Sequence, residues 1–393
     1  MHADSPLPTP EPEALQVSQH LLERVRQEIN AGDGWMSFHR YMELALYAPA
    51  LGYYTAGSHK LGRGGDFITA PEVSPLFGRC IARQCAQVLE SLGGGDILEF
   101  GAGTGILAVE ILTALEGLES LPDRYLILEL SPDLRQRQQA AVALLPEALR
   151  NRVQWLDALP EPGSLRGVML GNEVLDAMPV QVFHWHEGAV RERGVALGER
   201  LEWADRPAGE TLADTVHALH DTMGGAWPSG YVSEINPGLS GWLRAAAERL
   251  AAGVILLVDY GYPRREYYSP ERYRGTLMAH YRHRALDEPL VWPGIVDITA
   301  HVDFTAVAEA GEAAGLSLLG YTTQAWFLMG AGLESVFQAC QAEGLREQMD
   351  LAAQVRMLTL PGEMGERFQV MALGRGVPVP LMGFSGRDLI PRL

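Results

Sequence analysis

The segment DILEFGAGTG, Asp96–Gly105, constrains this chain more than any other ten residues. Ile97–Phe100 is a short apolar run of strand length. Glycines follow at alternate positions, Gly101, Gly103 and Gly105, and Ile106–Leu115 then reads as a helix. The glycines permit a sharp turn and let a ligand approach the main chain closely. The N-terminus of the following helix adds free N–H groups at the same place. Strand, glycine turn and helix in that order open a parallel α/β unit.

The pattern continues. Tyr125–Leu130 reads as a strand, and Ser131-Pro132 opens a helix over Asp133–Leu145. Val153–Leu156 and Gly167–Gly171 read as strands, and a helix over Gly241–Ala252 leads to the strand Val254–Tyr260. Strands alternating with helices imply parallel pairing and right-handed crossovers, hence an open doubly wound sheet. Leu316–Tyr321 and Arg367–Leu373 read as a closing antiparallel pair. The expected fold is thus an α/β, Rossmann-like open sheet with additions. Residues 1–13 are expected to be a disordered lead-in and 14–92 a helical N-terminal or lid region. Residues 93–179, 230–260 and 300–393 are expected to form the core. Residues 180–229 and 261–299 read as insertions forming a substrate-binding part, the first antiparallel β and the second loop-like.

Within the glycine turn the spacing is GxGxG with Glu99 two positions before it, not the GxGxxG of a pyrophosphate-binding turn. Glu99 suits the amino group of a methionine moiety. Glu129, followed by Leu130, ends the second strand, where a carboxylate can accept from both ribose hydroxyls. Asp157 ends the third strand, where an adenine amino group can donate to it. These residues in this order point to S-adenosylmethionine. The fourth strand runs into GNEVLDAMP, Gly171–Pro179. Ligands of open α/β sheets lie outside the carboxyl ends of the strands, so Asn172, Glu173 and Asp176 are expected at the reactive end. Glu173 and Asp176 suit a guanidinium: carboxylates hold its planar fork by bidentate hydrogen bonds, offset its charge and take the proton it releases. Asp297, His301 and Asp303 make only a loose metal-like set. Methyl transfer to nitrogen needs no metal, so none is expected, and His301 reads as structural.

Charge and composition narrow the partners. The 393 residues carry 31 basic and 49 acidic groups, a net charge of −18. That surface repels a phosphate backbone and attracts a basic protein. No apolar run reaches the roughly 18–20 residues of a membrane span. The acidic, Pro-rich start lacks the features of a signal or transit peptide. Cys80, Cys85 and Cys340 form no metal-ligand spacing. A cytoplasmic protein is expected, with neither nucleic acid nor membrane as partner.

Eight segments, in order, resemble the MidA family of bacterial proteins and their mitochondrial relatives. They are GDFITAPEVSPLFG (Gly65–Gly78), EFGAGTGIL (Glu99–Leu107), LELSPDLRQRQ (Leu128–Gln138) and GNEVLDAMPVQVF (Gly171–Phe183). VDYGY (Val258–Tyr262), GTLMAHYRHR (Gly275–Arg284), PGIVDITAHVDF (Pro293–Phe304) and LPGEMGERFQV (Leu360–Val370) complete the set. The resemblance implies a class I methyltransferase core with a helical N-terminal lid and an inserted substrate-binding part, protein arginine methylation, an arginine-bearing protein substrate such as a respiratory-complex subunit, and Asp66 and Thr69 near the cofactor. It also implies Glu173 and Asp176 on the substrate side. Where many relatives carry Pro and Arg inside the glycine turn, this chain has GAGTG. A methyltransferase for small molecules shares every cofactor residue and is the second reading. A non-catalytic assembly protein on the same fold is the third. The oligomeric state stays open, with a homodimer among the options.

Overall fold

A strand covered on both faces needs a near-continuous apolar run, and Gly253–Asp259 supplies one that is entirely buried. In a computed structural model describing residues 8–56, 69–340 and 344–393, this run lies at the centre of an eight-stranded sheet. The strands are β1 (Asp96–Phe100), β2 (Tyr125–Leu128), β3 (Val153–Leu156), β4 (Leu165–Asn172), β5 (Leu250–Tyr262), β6 (Val302–Asp303), β7 (Ser317–Thr323) and β8 (Phe368–Arg375). Their order is β3-β2-β1-β4-β5-β8-β7, with β6 added parallel to the end of β5. β1 to β5 run parallel, and β8 lies antiparallel to both β5 and β7. The strand order reverses between β1 and β4. In such sheets the crevice at that switch, beyond the carboxyl ends, is where ligands bind.

Helices cover this sheet: α1 (Pro75–Leu92), α2 (Ile106–Gly117), α3 (Pro132–Val142), α4 (Leu239–Arg249) and α5 (Phe304–Ala313). Their starts follow from local chemistry. Ser74 accepts the Leu76 N–H at 3.2 Å, Ser131 accepts that of Leu134 at 3.3 Å, and both are followed by proline at the first helical position. Proline loses no hydrogen bond there, and serine satisfies an N–H that the helix leaves open. Asp303 caps α5 through the N–H groups of Thr305 and Ala306.

The chain divides into two compact units. The sheet belongs to one, made of residues 68–176, 238–267 and 301–393; the other comprises residues 1–67, 177–237 and 268–300. In the second unit, helices Pro12–Ala31 and Phe38–Tyr47 bury Leu21, Val25, Phe38 and Tyr41 together with Val182 and Val195 of an antiparallel five-stranded sheet. That sheet runs Trp35–Ser37, Ala189–Leu197, Gln181–His186, Tyr231–Ile235, with Leu201–Pro207 also paired to Ala189–Leu197. A three-stranded sheet, Arg284–Leu286, Met278–Tyr281 and Asp297–Thr299, completes it.

Several sequence-based boundaries need correction. The 14–92 region is not one element of the fold: α1 buries Phe77, Cys80, Ile81, Cys85 and Leu89 in the same core as Ile97, Ile111 and Val168 of the sheet unit. Residues 230–237 do not join the core sheet, because Tyr231–Ile235 pairs antiparallel with Gln181–His186. The supposed loop 261–299 contains the three-stranded sheet, whose strands of three or four residues are too short to show a period. The helix expected to reach Ala252 ends at Arg249, since Leu250 already pairs with Leu165. The lead-in ends sooner than expected: Pro12 starts a helix, and Glu11 pairs with Arg282 at 3.1 Å. Residues 1–7 of the lead-in lie outside the described residues. Among the described residues, no helix is long and apolar enough to cross a membrane.

Candidate active site

The glycine turn leaves the carboxyl end of β1 with Gly101, Gly103 and Gly105 at φ of 58°, 54° and 85°. L side chains rarely adopt this left-handed region. At Gly105 a Cβ would also stand 2.9 Å from Cα of Gln138 on α3, so only glycine lets the turn lie against that helix. Gln138 is fully buried and reaches three strand ends. Its amide nitrogen donates to the Gly103 carbonyl at 3.0 Å and to Glu129 Oε2 at 2.8 Å, and its oxygen accepts from Trp155 Nε1 at 3.0 Å. Nothing in the local pattern of LRQRQ marks this one glutamine as buried.

Glu129 lies just past β2, and its other oxygen accepts the Ser131 N–H at 2.8 Å. Burial raises its carboxyl above the ordinary range, opposed by the hydrogen bonds from Ser131 and Gln138. Leu130 beside it is 73% exposed, an apolar surface next to the carboxylate. Asp157 lies beyond β3, exposed, with Arg135 Nη1 at 2.5 Å. Glu99 is on β1 inside the protein: it is buried, and its Oε2 accepts from the Tyr125 hydroxyl at 2.7 Å. Burial pushes its carboxyl up to about 7, although the Tyr125 bond pulls the other way. Thr69 precedes the short helix Ala70–Val73 without capping it through its side chain. Asp66 lies outside the described residues. A neighbour the sequence did not single out is Glu72, which accepts from Thr104 Oγ1 of the glycine turn at 2.5 Å.

At the carboxyl end of β4 the chain makes a second tight turn, Asn172–Asp176. Glu173 has φ of 53°, a conformation that costs a non-glycine residue roughly 1 kcal/mol or more and that gathers at functional sites. Asn172 Nδ2 donates to Glu173 Oε1 at 3.0 Å. Asn172 Oδ1 is buried and has no hydrogen-bond partner among the described residues. The turn is fixed by Asp259 at the end of the adjacent β5. One of its oxygens accepts the N–H groups of Val174, Leu175 and Asp176 at 3.1, 2.8 and 3.3 Å. The other accepts the Tyr260 N–H at 2.9 Å. The Glu173 N–H donates to the Val258 carbonyl at 2.9 Å. Burial, then the charges of Glu173, Asp176 and Asp259, raise the neighbouring Tyr260 hydroxyl far above its usual range. Three carboxyl groups and, opposing them, the guanidinium of Arg367 therefore act on one small region whose balance is acidic.

Other acidic groups accept hydrogen bonds from backbone or side chains. Glu234 is buried and accepts the N–H groups of Thr276 and Leu277, holding the start of GTLMAHYRHR. Asp297 accepts from Tyr54 Oη at 3.1 Å, whereas Asp303 caps α5 and pairs with Arg264 at 3.2 Å. Among the described residues no group of three or more His, Cys, Asp and Glu is arranged to hold a metal ion. Cys80 and Cys85 are core thiols, the first pushed up to about 12 by burial.

The chain is similar to known proteins over most of its length. Residues 80–322 match the family described as "Putative S-adenosyl-L-methionine-dependent methyltransferase". A crystal structure from Burkholderia thailandensis, described as a "likely methyl transferase" bound to S-adenosyl-homocysteine, is 44% identical. It aligns over 99% of this chain and 100% of that one with a TM-score of 0.94. Curated relatives include the mitochondrial protein arginine methyltransferase NDUFAF7 of Danio rerio, 28% identical over 91% of this chain and 87% of the relative. The Drosophila melanogaster homologue is 28% identical over 97% and 93%. These relatives are named as mitochondrial proteins, which overturns the expectation of a cytoplasmic one drawn from the N-terminal composition. The residues present fit the family's cofactor in kind: a carboxylate, Glu129, just past the end of β2, and a glycine turn at positive φ that is open to close approach. The chain belongs to the S-adenosyl-L-methionine-dependent methyltransferase family.

Proposed function

We propose that this protein methylates an arginine side chain of a protein partner, with Glu173 and Asp176 as the groups that hold and deprotonate the guanidinium. The observation that carries this reading is the turn Asn172–Asp176, with Glu173 at positive φ and three carboxyl groups, those of Glu173, Asp176 and Asp259, around Tyr260. An acidic cluster on a rigid turn is matched to a planar cation that needs its orientation fixed. S-adenosylmethionine supplies the electrophilic methyl group. Glu129 accepts from the ribose hydroxyls, Leu130 offers apolar surface beside it, and Asp157 accepts from the adenine amino group. Glu99, Asn172 and Thr69 are assigned to the same cofactor, with Asp66 assigned by family resemblance alone. Glu173 and Asp176 align the acceptor nitrogen by bidentate hydrogen bonds. A carboxylate oxygen of Glu173 would take the proton that the acceptor nitrogen releases on methylation.

Support for a protein acceptor comes from the curated relatives named protein arginine methyltransferases and from the net charge of −18, which draws in a basic partner. An arginine-bearing subunit of a respiratory complex is the partner class we infer. The test is transfer of a labelled methyl group from S-adenosylmethionine to purified arginine-bearing subunits, followed by mass spectrometry of the modified residue. Methylarginine that disappears with Glu173→Gln and Asp176→Asn supports the reading. Full turnover by both variants sinks the carboxylate mechanism, and label found only in small molecules moves the function to the second reading.

A further inference from the structure

A buried primary amide is costly unless its donors and acceptor are matched. Gln138 projects from α3, an otherwise polar helix, and is fully buried. Its two acceptors, the Gly103 carbonyl and the Glu129 carboxylate, take its NH2 group, and the indole N–H of Trp155 meets its oxygen. An indole N–H only donates, and a carbonyl and a carboxylate only accept, so just one orientation of the amide satisfies all three. Gly105 packs against the backbone of the same residue, within 2.9 Å of where its Cβ would be. One side chain thus joins the turn after β1, the carboxylate after β2 and the ring on β3.

We propose that Gln138 is a positioning residue of the cofactor site, fixing the Glu129 carboxylate and the glycine turn as one preformed surface for the nucleoside. The proposal rests on Glu129 as the acceptor of the ribose hydroxyls. The Ser131 N–H holds one Glu129 oxygen and Gln138 the other, with the Leu130 N–H also bonded to the carboxylate, so its plane is set before ligand arrives and acceptor capacity remains for a ribose hydroxyl. Without Gln138, Glu129 would be held by backbone N–H groups alone, and each binding event would have to order its second oxygen.

The test is calorimetric titration of the full chain with S-adenosylhomocysteine and with its 2′-deoxy analogue, comparing wild type, Gln138→Met, Trp155→Phe and Glu129→Ala. Gln138→Met keeps the length and removes every hydrogen bond. It is expected to weaken S-adenosylhomocysteine about tenfold, as for a lost hydrogen bond to a charged group, and the 2′-deoxy analogue much less. The preference for the ribose form therefore shrinks. Equal weakening of both ligands would mark Gln138 as merely structural, and unchanged affinities would also overturn the proposal. Trp155→Phe deletes only the N–H that orients the amide and keeps the test standing if Gln138→Met does not fold. It is expected to reduce the preference about threefold, and an unchanged preference overturns the proposal. Glu129→Ala separates the two ideas. If it retains the wild-type preference, the ribose reading itself fails; if it abolishes the preference while Gln138→Met keeps it, only the role of Gln138 fails.

Discussion

Asp259 Oδ2 accepts the backbone N–H of Leu175 at 2.8 Å, the shortest of the three bonds by which it holds the Asn172–Asp176 turn. The two residues are brought together because β5 lies beside β4 with Val258 opposite Asn172. Removing the carboxyl group leaves buried N–H groups without an acceptor, at about 1–3 kcal/mol for each group not reached by water. Asp259→Ala is expected to lose roughly 3 kcal/mol in urea unfolding and to lose methyl transfer while S-adenosylhomocysteine affinity, read by calorimetry, changes little. Asp259→Asn keeps one acceptor oxygen and is expected to lose less of both.

Glu99 titrates at about 7 in the folded protein against an ordinary value of 4.5, because it is buried. A raised folded value means that the folded state holds the proton more tightly. Its contribution to stability is complete below about pH 4.5 and is lost as the pH rises through about 7. Asp259, pushed up to about 7 by burial against its four backbone N–H bonds, acts in the same direction. Glu99→Gln keeps an acceptor for Tyr125 and removes the charge. The variant is expected to be more stable than wild type at pH 8, by roughly 1–3 kcal/mol, and no more stable at pH 4. Thermal melting at the two pH values checks the sign.

The backbone of Glu173, at φ of 53°, tolerates some residues and not others. Asparagine enters this region readily, whereas a β-branched side chain is strained there. Glu173→Asn is expected to unfold within about 1 kcal/mol of wild type, and Glu173→Val to be less stable by roughly 1–2 kcal/mol. Both are expected to lose methyl transfer. Urea titration beside an activity assay separates the backbone demand from the chemical one.

Gly105 combines a φ of 85° with the close approach to Gln138. Gly105→Ala strains the backbone and pushes the turn away from α3. It is expected to weaken S-adenosylhomocysteine at least tenfold and to lower stability by roughly 1–3 kcal/mol, measured by calorimetry and melting.

The sequence by itself determined the elements whose signals are local. The glycine turn, the serine-proline start of α3 and the acidic residues at successive strand ends all depend on residues a few positions apart. Such signals survive without tertiary contacts because they arise from backbone sterics and capping. Only the tertiary structure decided which groups those elements meet. Tyr125 reaches Glu99 because β2 pairs with β1, and Asp259 reaches Leu175 across 84 positions because β5 pairs with β4. Gln138 became a hub because α3 lies where the ends of three strands converge, although LRQRQ reads as an ordinary solvated helix face. The placement of Tyr231–Ile235 in the other unit was hidden for the same reason. Its alternation shows one strand, while its partner is fixed by which apolar faces can be buried together, a property of the whole chain.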